Sequence, residues 1–168
     1  MRALKTEKEL QSDVSDLATE IESHYGNQEI VVVYMINSAA MFCADLVRRL
    51  SNVSSIYGLG FDSFDPGSQS GEVKITQDVA VPIFGERILL LEGMVISGST
   101  PDFLKKYLLL RGAASVSLCA VGSKPALMKD EVDLPFCMYQ FSNEWVAGYG
   151  IGNGPEKSST ALLDLSQN

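Results

Sequence analysis

The chain is poor in the residues that most often carry chemistry. Its 168 residues include one histidine, His24, and three cysteines, Cys43, Cys119 and Cys137. A lone histidine excludes a Ser-His-Asp triad built on any other imidazole, and there is no G-x-S-x-G nucleophile elbow. His24 falls in the last turn of a helical pattern, where an imidazole suits the helix dipole. Three separated cysteines in apolar surroundings, without C-x-x-C spacing, form neither a disulfide framework nor a zinc site. They read as buried, reduced thiols of a cytoplasmic protein. Basic residues are also scarce: 13 Lys and Arg face 21 Asp and Glu, for a net charge of −8 and a pI near 4.6. That composition argues against nucleic acid as a partner, which needs clustered positive charge. No apolar run approaches the roughly 20 residues of a membrane span, and the polar start MRALKTEKELQ is not a secretory signal. With no repeat, low-complexity tract or linker, the 46% hydrophobic content suits one soluble domain over residues 1–168.

What is present centres on residues 87–111, RILLLEGMVISGSTPDFLKKYLLLR. Arg87 to Leu91 reads as a strand buried on both faces. Ser97, Gly98, Ser99 and Thr100 form a small, hydroxyl-rich turn, with Thr100 as the expected helix N-cap and Pro101 in the first turn. Phe103, Leu104, Tyr107 and Leu108 recur at helical spacing. Such a turn aims several backbone N–H groups at one point, where the helix dipole adds positive potential, so it fits a phosphate monoester. Any strand-to-helix turn in an α/β protein also tends to end in a hydroxyl, so the motif alone does not decide.

Around this centre the pattern is α/β. Thr6 and Glu9 have capping-box spacing before a stripe of Leu10, Val14, Leu17, Ala18 and Ile21, and Gly26 closes that helix. A buried strand at Ile30 to Ile36 leads through Asn37-Ser38-Ala39-Ala40 to a helix at Met41 to Leu50, where Arg48 and Arg49 suit the C-terminal end. Val53 to Phe61 reads as a strand packed by Ile56, Tyr57 and Leu59. Asp62 to Gly71 is a loop by composition, either a lid or a plain connection. Glu72 to Ile75 and a turn at Pro82 to Glu86 return to the centre. Gly112 closes the central helix, Ser115 to Val121 is a strand, and residues 122–125, GSKP, leave its carboxyl end. Asp130, Glu131 and Asp133 read as a solvated face, and ALLDL as a final strand. Ligands of open α/β sheets bind at the carboxyl ends of strands, so the loops beginning at Asn37, Gly93 and Gly122 share one rim.

Several of these segments together resemble the type I phosphoribosyltransferases, hypoxanthine/guanine branch. The central stretch is similar to that family's phosphoribosyl-pyrophosphate (PRPP) motif, V-E-D-I-I-D-T-G-x-T. IVVVYMINSAAMFCADLVRRL from Ile30 resembles the first strand and helix, Ser70-GEVKI the segment after the mobile loop, Val116 to Pro125 the next strand, and Trp145-VAGYGI the family's F-V-V-G-Y-G-L-D. The matches are in order and span almost the whole chain. The resemblance implies a mostly parallel, twisted sheet flanked by helices, with a small hood formed from the chain ends. It also implies a 5′-phosphate cradle at Ser97, Gly98, Ser99 and Thr100, a ribose contact at Glu92 and a pyrophosphate-loop position at Ile36, Asn37 and Ser38. The purine site would be Lys124, Trp145 and Val146. Taken alone, Lys124 reads as a solvated loop lysine and Trp145 as core packing.

The departures fall on the family's chemical residues. The second acid of the central pair is Gly93, and the aspartate credited with the purine N7 proton is Ile96. The Lys-Gly of the first loop, which carries an unusual cis peptide, is Asn37-Ser38. The aspartate holding a second Mg²⁺ through water is Gly152, and an arginine on pyrophosphate falls at Ser158. The nearest counterpart of the loop Ser-Tyr pair is Ser63-Phe64. The resemblance therefore implies a degenerate member that binds a purine nucleotide such as GMP or IMP and requires no metal. The alternatives are an active PRPP-dependent transferase, which would need Mg²⁺, and an interaction protein with a vestigial site. The family's habit of forming dimers and tetramers implies a homo-oligomer.

Overall fold

Thr6 starts the first helix as the spacing predicts. Its backbone N–H donates to Glu9 Oε2 at 2.8 Å, and its Oγ1 accepts from the Glu9 N–H at 3.3 Å. Helix α1 (Glu7–Tyr25) buries Leu10, Val14, Leu17, Ala18 and Ile21 against the sheet and ends at Gly26. The computed structural model describes residues 1–63, 73–128 and 132–166. The expectations for the loop beyond Ser63, including Phe64 and Ser70, and for Asp130 and Glu131, lie outside the described residues.

Strands β2 (Ile30–Met35), β3 (Val53–Ser63), β5 (Arg87–Val95), β6 (Ser115–Ser123) and β7 (Phe136–Gln140) run parallel, and β4 (Val73–Gln77) adds an antiparallel edge. The sheet order is β4-β3-β2-β5-β6-β7, with β5 central. Ile88 to Leu91 are fully buried there, as a strand covered on both faces requires. Helices α2 (Ala40–Val47) and α3 (Ser99–Leu110) complete the layers. A second sheet is the hood: β1 (Arg2–Lys5), β9 (Leu162–Asp164) and β8 (Val146–Ala147), with β9 antiparallel to both neighbours. The fold is the mostly parallel α/β sheet with a hood from the chain ends that the resemblance implies. No described helix is long and apolar enough to cross a membrane.

Four local expectations need correction. Helix α3 begins at Ser99, and its N-cap is Gly98 at φ 81° rather than Thr100, because the left-handed turn already sits two residues earlier. Strand β6 runs through Gly122 and Ser123, which pair with Met94 and Val95, so the loop starts at Lys124. Ile56 is 47% exposed instead of packing its strand; Leu59 is buried. Helix α2 ends at Val47, short of the arginine pair. Arg49 still caps it, donating to the Asp45 carbonyl at 2.6 Å, and it also reaches Ser15 Oγ on α1 at 2.9 Å.

Cys43 and Cys119 are buried as expected, whereas Cys137 is only half-buried. Burial pushes the Cys43 thiol up to about 11 and raises those of Cys119 and Cys137, so none is poised as a thiolate.

Candidate functional site

At the carboxyl ends of β2, β5 and β6 two cavities meet. One, of about 480 Å³, is lined by Lys124, Trp145 and Val146, with Ile151, Gly152 and Asn153 of the hood closing it. The other, of about 270 Å³, is lined by Asn37, Ser97, Gly98, Thr100 and Pro101, with Phe61. Ser38, Glu92, Met94 and Ile96 line both, so the two are halves of one cleft. A groove of about 380 Å³ between α1 and β7 lies elsewhere, and its Lys5, Asp13 and Tyr139 satisfy one another.

The first half is a mainly apolar pocket with one cation, Lys124. Trp145 is 69% exposed, which excludes core packing as its role. Its backbone is pinned, the N–H to Asp164 Oδ1 at 3.2 Å and the carbonyl to the Leu165 N–H at 2.9 Å, so the ring is displayed from a fixed point. Lys124 is half-buried with its N–H on the Val95 carbonyl at 2.9 Å. Among the described residues its ammonium has no hydrogen-bond partner. Ile96, 49% exposed, lies between the two halves.

The second half is the turn before α3. Gly98 is required there twice over: its φ is left-handed, and an added Cβ would lie 2.2 Å from Val132 Cγ2. Ser97 Oγ sits 3.4 Å from both the N and the Oγ of Ser99. These contacts are weak, so a better acceptor would displace them. Ser99 is exposed and does not line the cleft; Ile36 does not either, packing instead on Gly58 of β3. Among the described residues no peptide bond is cis, so the turn at Asn37 and Ser38 is built from trans peptides.

Glu92 joins the halves. It is 6% exposed. Ser38 Oγ donates to its Oε1, and the Gly93 N–H donates to the same oxygen at 2.7 Å. Burial raises its carboxyl to about 7, against the opposing donors Ser38, Gly93 and Met94. Two groups that the sequence did not single out complete the site. Ile151 walls the slot, and Lys157 Nζ donates to the Asn37 carbonyl. The signal for Lys157 was its place one residue before Ser158.

These residues do not fit a protein-held divalent cation. Among the described residues no cluster of three or more His, Cys, Asp or Glu exists. The one carboxylate in the cleft already accepts from Ser38 and Gly93. A Cβ at Gly93 would lie 2.6 Å from the Ser38 carbonyl, so the neighbouring position has no room for a second acid.

No protein-family model matches the chain. The hypoxanthine-guanine phosphoribosyltransferase of Aquifex aeolicus is 30% identical over 156 residues, 92% of this chain and 88% of that one. The bifunctional protein TilS/HprT of Listeria monocytogenes is 30% identical over 89% of this chain, which spans only 23% of its length. A solved structure of a hypoxanthine-guanine phosphoribosyltransferase from Bacillus anthracis, 27% identical, superposes with a TM-score of 0.92 and covers 98% of each chain.

Proposed function

The chain belongs to the hypoxanthine-guanine phosphoribosyltransferase family, and on that premise we propose that it binds a purine nucleoside monophosphate and has little or no transferase activity. The observation that carries this is the shared lining of the cleft. A phosphate-type turn and a mainly apolar pocket with a cation open into each other through Glu92 and Ile96. In this reading the Ser97–Thr100 turn takes the 5′-phosphate through its backbone N–H groups and the α3 dipole. Trp145 stacks on the base, Val146 and Ile151 flank it, and Lys124 donates to its exocyclic oxygen. Glu92 lies where the ribose would pass. A transferase would also need groups that position pyrophosphate and handle a base proton. Loss of one general acid or base alone typically costs about 10²- to 10⁴-fold, and Ile96 and Gly93 can serve neither purpose.

The relatives' names favour a second reading, an active transferase drawing on PRPP. Calorimetric titration with GMP, IMP and PRPP, with and without Mg²⁺, separates the two. GMP or IMP binding without metal and no pyrophosphate release from PRPP support the first; Mg²⁺-dependent PRPP turnover overturns it.

Two variants test the placement of the ligand. Thr100→Phe fills the small half of the cleft from the first turn of α3 and is expected to weaken GMP binding at least ~100-fold, about 2.7 kcal/mol, with the circular dichroism spectrum unchanged. Undiminished GMP binding would mean the phosphate lies elsewhere. Trp145→Ala removes a stacking face worth about 1–3 kcal/mol per base. Because the ring is exposed, stability should shift by no more than about 0.5 kcal/mol. A large loss of stability with normal GMP affinity would return Trp145 to a packing role.

A further inference from the structure

The wall that closes the base pocket is made by a loop whose backbone is held against its own preference. Ile151, Gly152 and Asn153 line that pocket. They follow Tyr149, whose φ of 53° makes it the only residue other than glycine in the left-handed region among the described residues. A tyrosine is disfavoured there, because its Cβ crowds the backbone, and the conformation persists only where the surroundings fix it. Gly148 and Gly150 on either side, at φ 95° and 88°, turn the chain without that cost. The loop folds back on itself through the N–H groups of Gly148 and Ile151, each donating to the other's carbonyl, at 3.0 and 2.9 Å. It hangs from the following segment by the N–H groups of Tyr149 and Gly150, which donate to the carbonyls of Ser159 and Lys157 at 2.8 and 2.9 Å. None of these backbone bonds requires a tyrosine.

The hydroxyl does. The Tyr149 side chain is 3% exposed and lines not the base pocket but a separate cavity of about 290 Å³, with Gln11 of α1 and Met41 and Asp45 of α2. Its hydroxyl donates to Asp45 Oδ2 at 2.7 Å, and Gln11 Nε2 donates to the same oxygen at 2.7 Å. Arg48 pairs with the other carboxylate oxygen. Burial pushes the Asp45 carboxyl up, but Tyr149, Gln11 and Arg48 together outweigh it and hold the group below the usual carboxylate range, so the tyrosine donates to a charge. Arg49 fixes the acceptor in turn, donating to the Asp45 carbonyl at 2.6 Å and to Gln11 Oε1 at 2.5 Å. The phosphate half of the cleft contains no residue of this loop. We propose that Tyr149 and Asp45 are positioning residues for the base, the pair holding the left-handed backbone and with it the Ile151–Asn153 wall, so that the base half of the cleft is shaped before the ligand arrives. The phosphate half does not depend on them. This deepens the nucleotide-binding reading and rests on it for the ligand's identity, but the clamp itself is tested without any ligand.

The experiment compares the wild type, Tyr149→Phe, Asp45→Asn and Tyr139→Phe as whole chains, by amide hydrogen exchange without ligand and by calorimetric titration with GMP and with ribose 5-phosphate. Tyr139→Phe is the control, because that hydroxyl also donates to a carboxylate, Asp13 of α1, but away from the cleft. The bond to Asp45 and the left-handed strain are of similar size, so without the hydroxyl the present loop becomes a minority form. Exchange of the Tyr149 and Gly150 amides should quicken at least ~10-fold in Tyr149→Phe. Its apparent affinity for GMP should fall by a similar factor, since only the competent fraction binds. Ribose 5-phosphate, which carries no base, should bind within about 2-fold of wild type. Asp45→Asn keeps the shape with a hydrogen bond roughly half as strong, for a GMP loss of about 3-fold, and it carries the test if Tyr149→Phe does not fold. Tyr139→Phe should leave GMP affinity unchanged. Unaltered loop exchange in the folded variants overturns the clamp. Quickened exchange with undiminished GMP affinity overturns its positioning role. Equal losses of GMP and ribose 5-phosphate, or an equal GMP loss in Tyr139→Phe, also overturn it, since either makes the effect one of general stability. A wild type that binds no GMP, with loop exchange quickened in Tyr149→Phe, upholds the clamp and removes the nucleotide reading.

Discussion

Gly93→Asp is expected to lower stability by about 2–6 kcal/mol and to restore no chemistry. The resemblance marks Gly93 as the place of a missing acid, so the substitution looks like a repair. The packing says otherwise. Gly93 is buried, and its Cβ would lie 2.6 Å from the Ser38 carbonyl and 3.0 Å from both Ser38 Cβ and Ile151 Cγ1. The closest of these atoms is backbone, which cannot swing aside as a flexible side chain can. Forcing atoms into a filled space costs about 1–3 kcal/mol. The new carboxyl would also enter beside buried Glu92, and desolvating it without a partner adds about 1–3 kcal/mol more. Against a typical total of about 5–15 kcal/mol, the melting temperature should fall by about 10 °C, at the usual 2–4 °C per kcal/mol for a chain of this size. Ile96→Asp is the control. That side chain is 49% exposed, so an aspartate there should change stability by less than about 1 kcal/mol. Thermal melts of the two variants decide the matter. A Gly93→Asp protein that melts within about 2 °C of wild type and turns over PRPP would overturn both the packing argument and the reading of a cleft without transferase activity.

The same contrast shows what the sequence could and could not reveal. The capping box at Thr6 and Glu9 was legible because it is complete within four residues. The strand Ile88 to Leu91 was legible because burial on both faces needs an unbroken apolar run. Strands β1 and β8, at four and two residues, are too short to show a period of two, and β7, FCMYQ, is a five-residue, largely apolar run with no alternation to mark it as a strand. The N-cap shifted from Thr100 to Gly98 because a left-handed glycine, not the hydroxyl, ends the turn. The cleft residues Asn37, Ser38, Glu92, Ser97, Thr100, Lys124, Trp145 and Val146 were named by resemblance, and the fold brings them to one cleft. What no local pattern contains is the set of contacts across it. Ser38 reaches Glu92 over 54 positions of sequence and Lys157 reaches Asn37 over 120. Both contacts join elements far apart in the chain, so only the folded structure shows them.

Glu92 gives the second large effect, and it is read through pH. Its carboxyl rises from 4.5 to about 7 in the folded chain because burial disfavours the charge more than Ser38, Gly93 and Met94 stabilise it. Between those two values the folded state holds a proton that the unfolded state has released, so stability falls as pH rises. The contribution is complete below pH 4.5 and lost once pH passes about 7; at 1.36 kcal/mol per unit it amounts to about 3 kcal/mol. Carboxylates held low by hydrogen bonds, such as Asp13 and Asp164, change stability in the opposite sense. Their effect is largely spent above the ordinary carboxylate range, but the comparison with Glu92→Gln removes it altogether. Glutamine keeps an acceptor for the Ser38 hydroxyl and carries no titrating proton. Urea unfolding at half-unit steps from pH 4.5 to 8 should therefore show wild-type stability falling relative to the variant by about 3 kcal/mol, with the steepest change at pH 5 to 7. Parallel curves for the two proteins would show that Glu92 is solvated in the folded state. In that case its carboxylate would be free for a ligand.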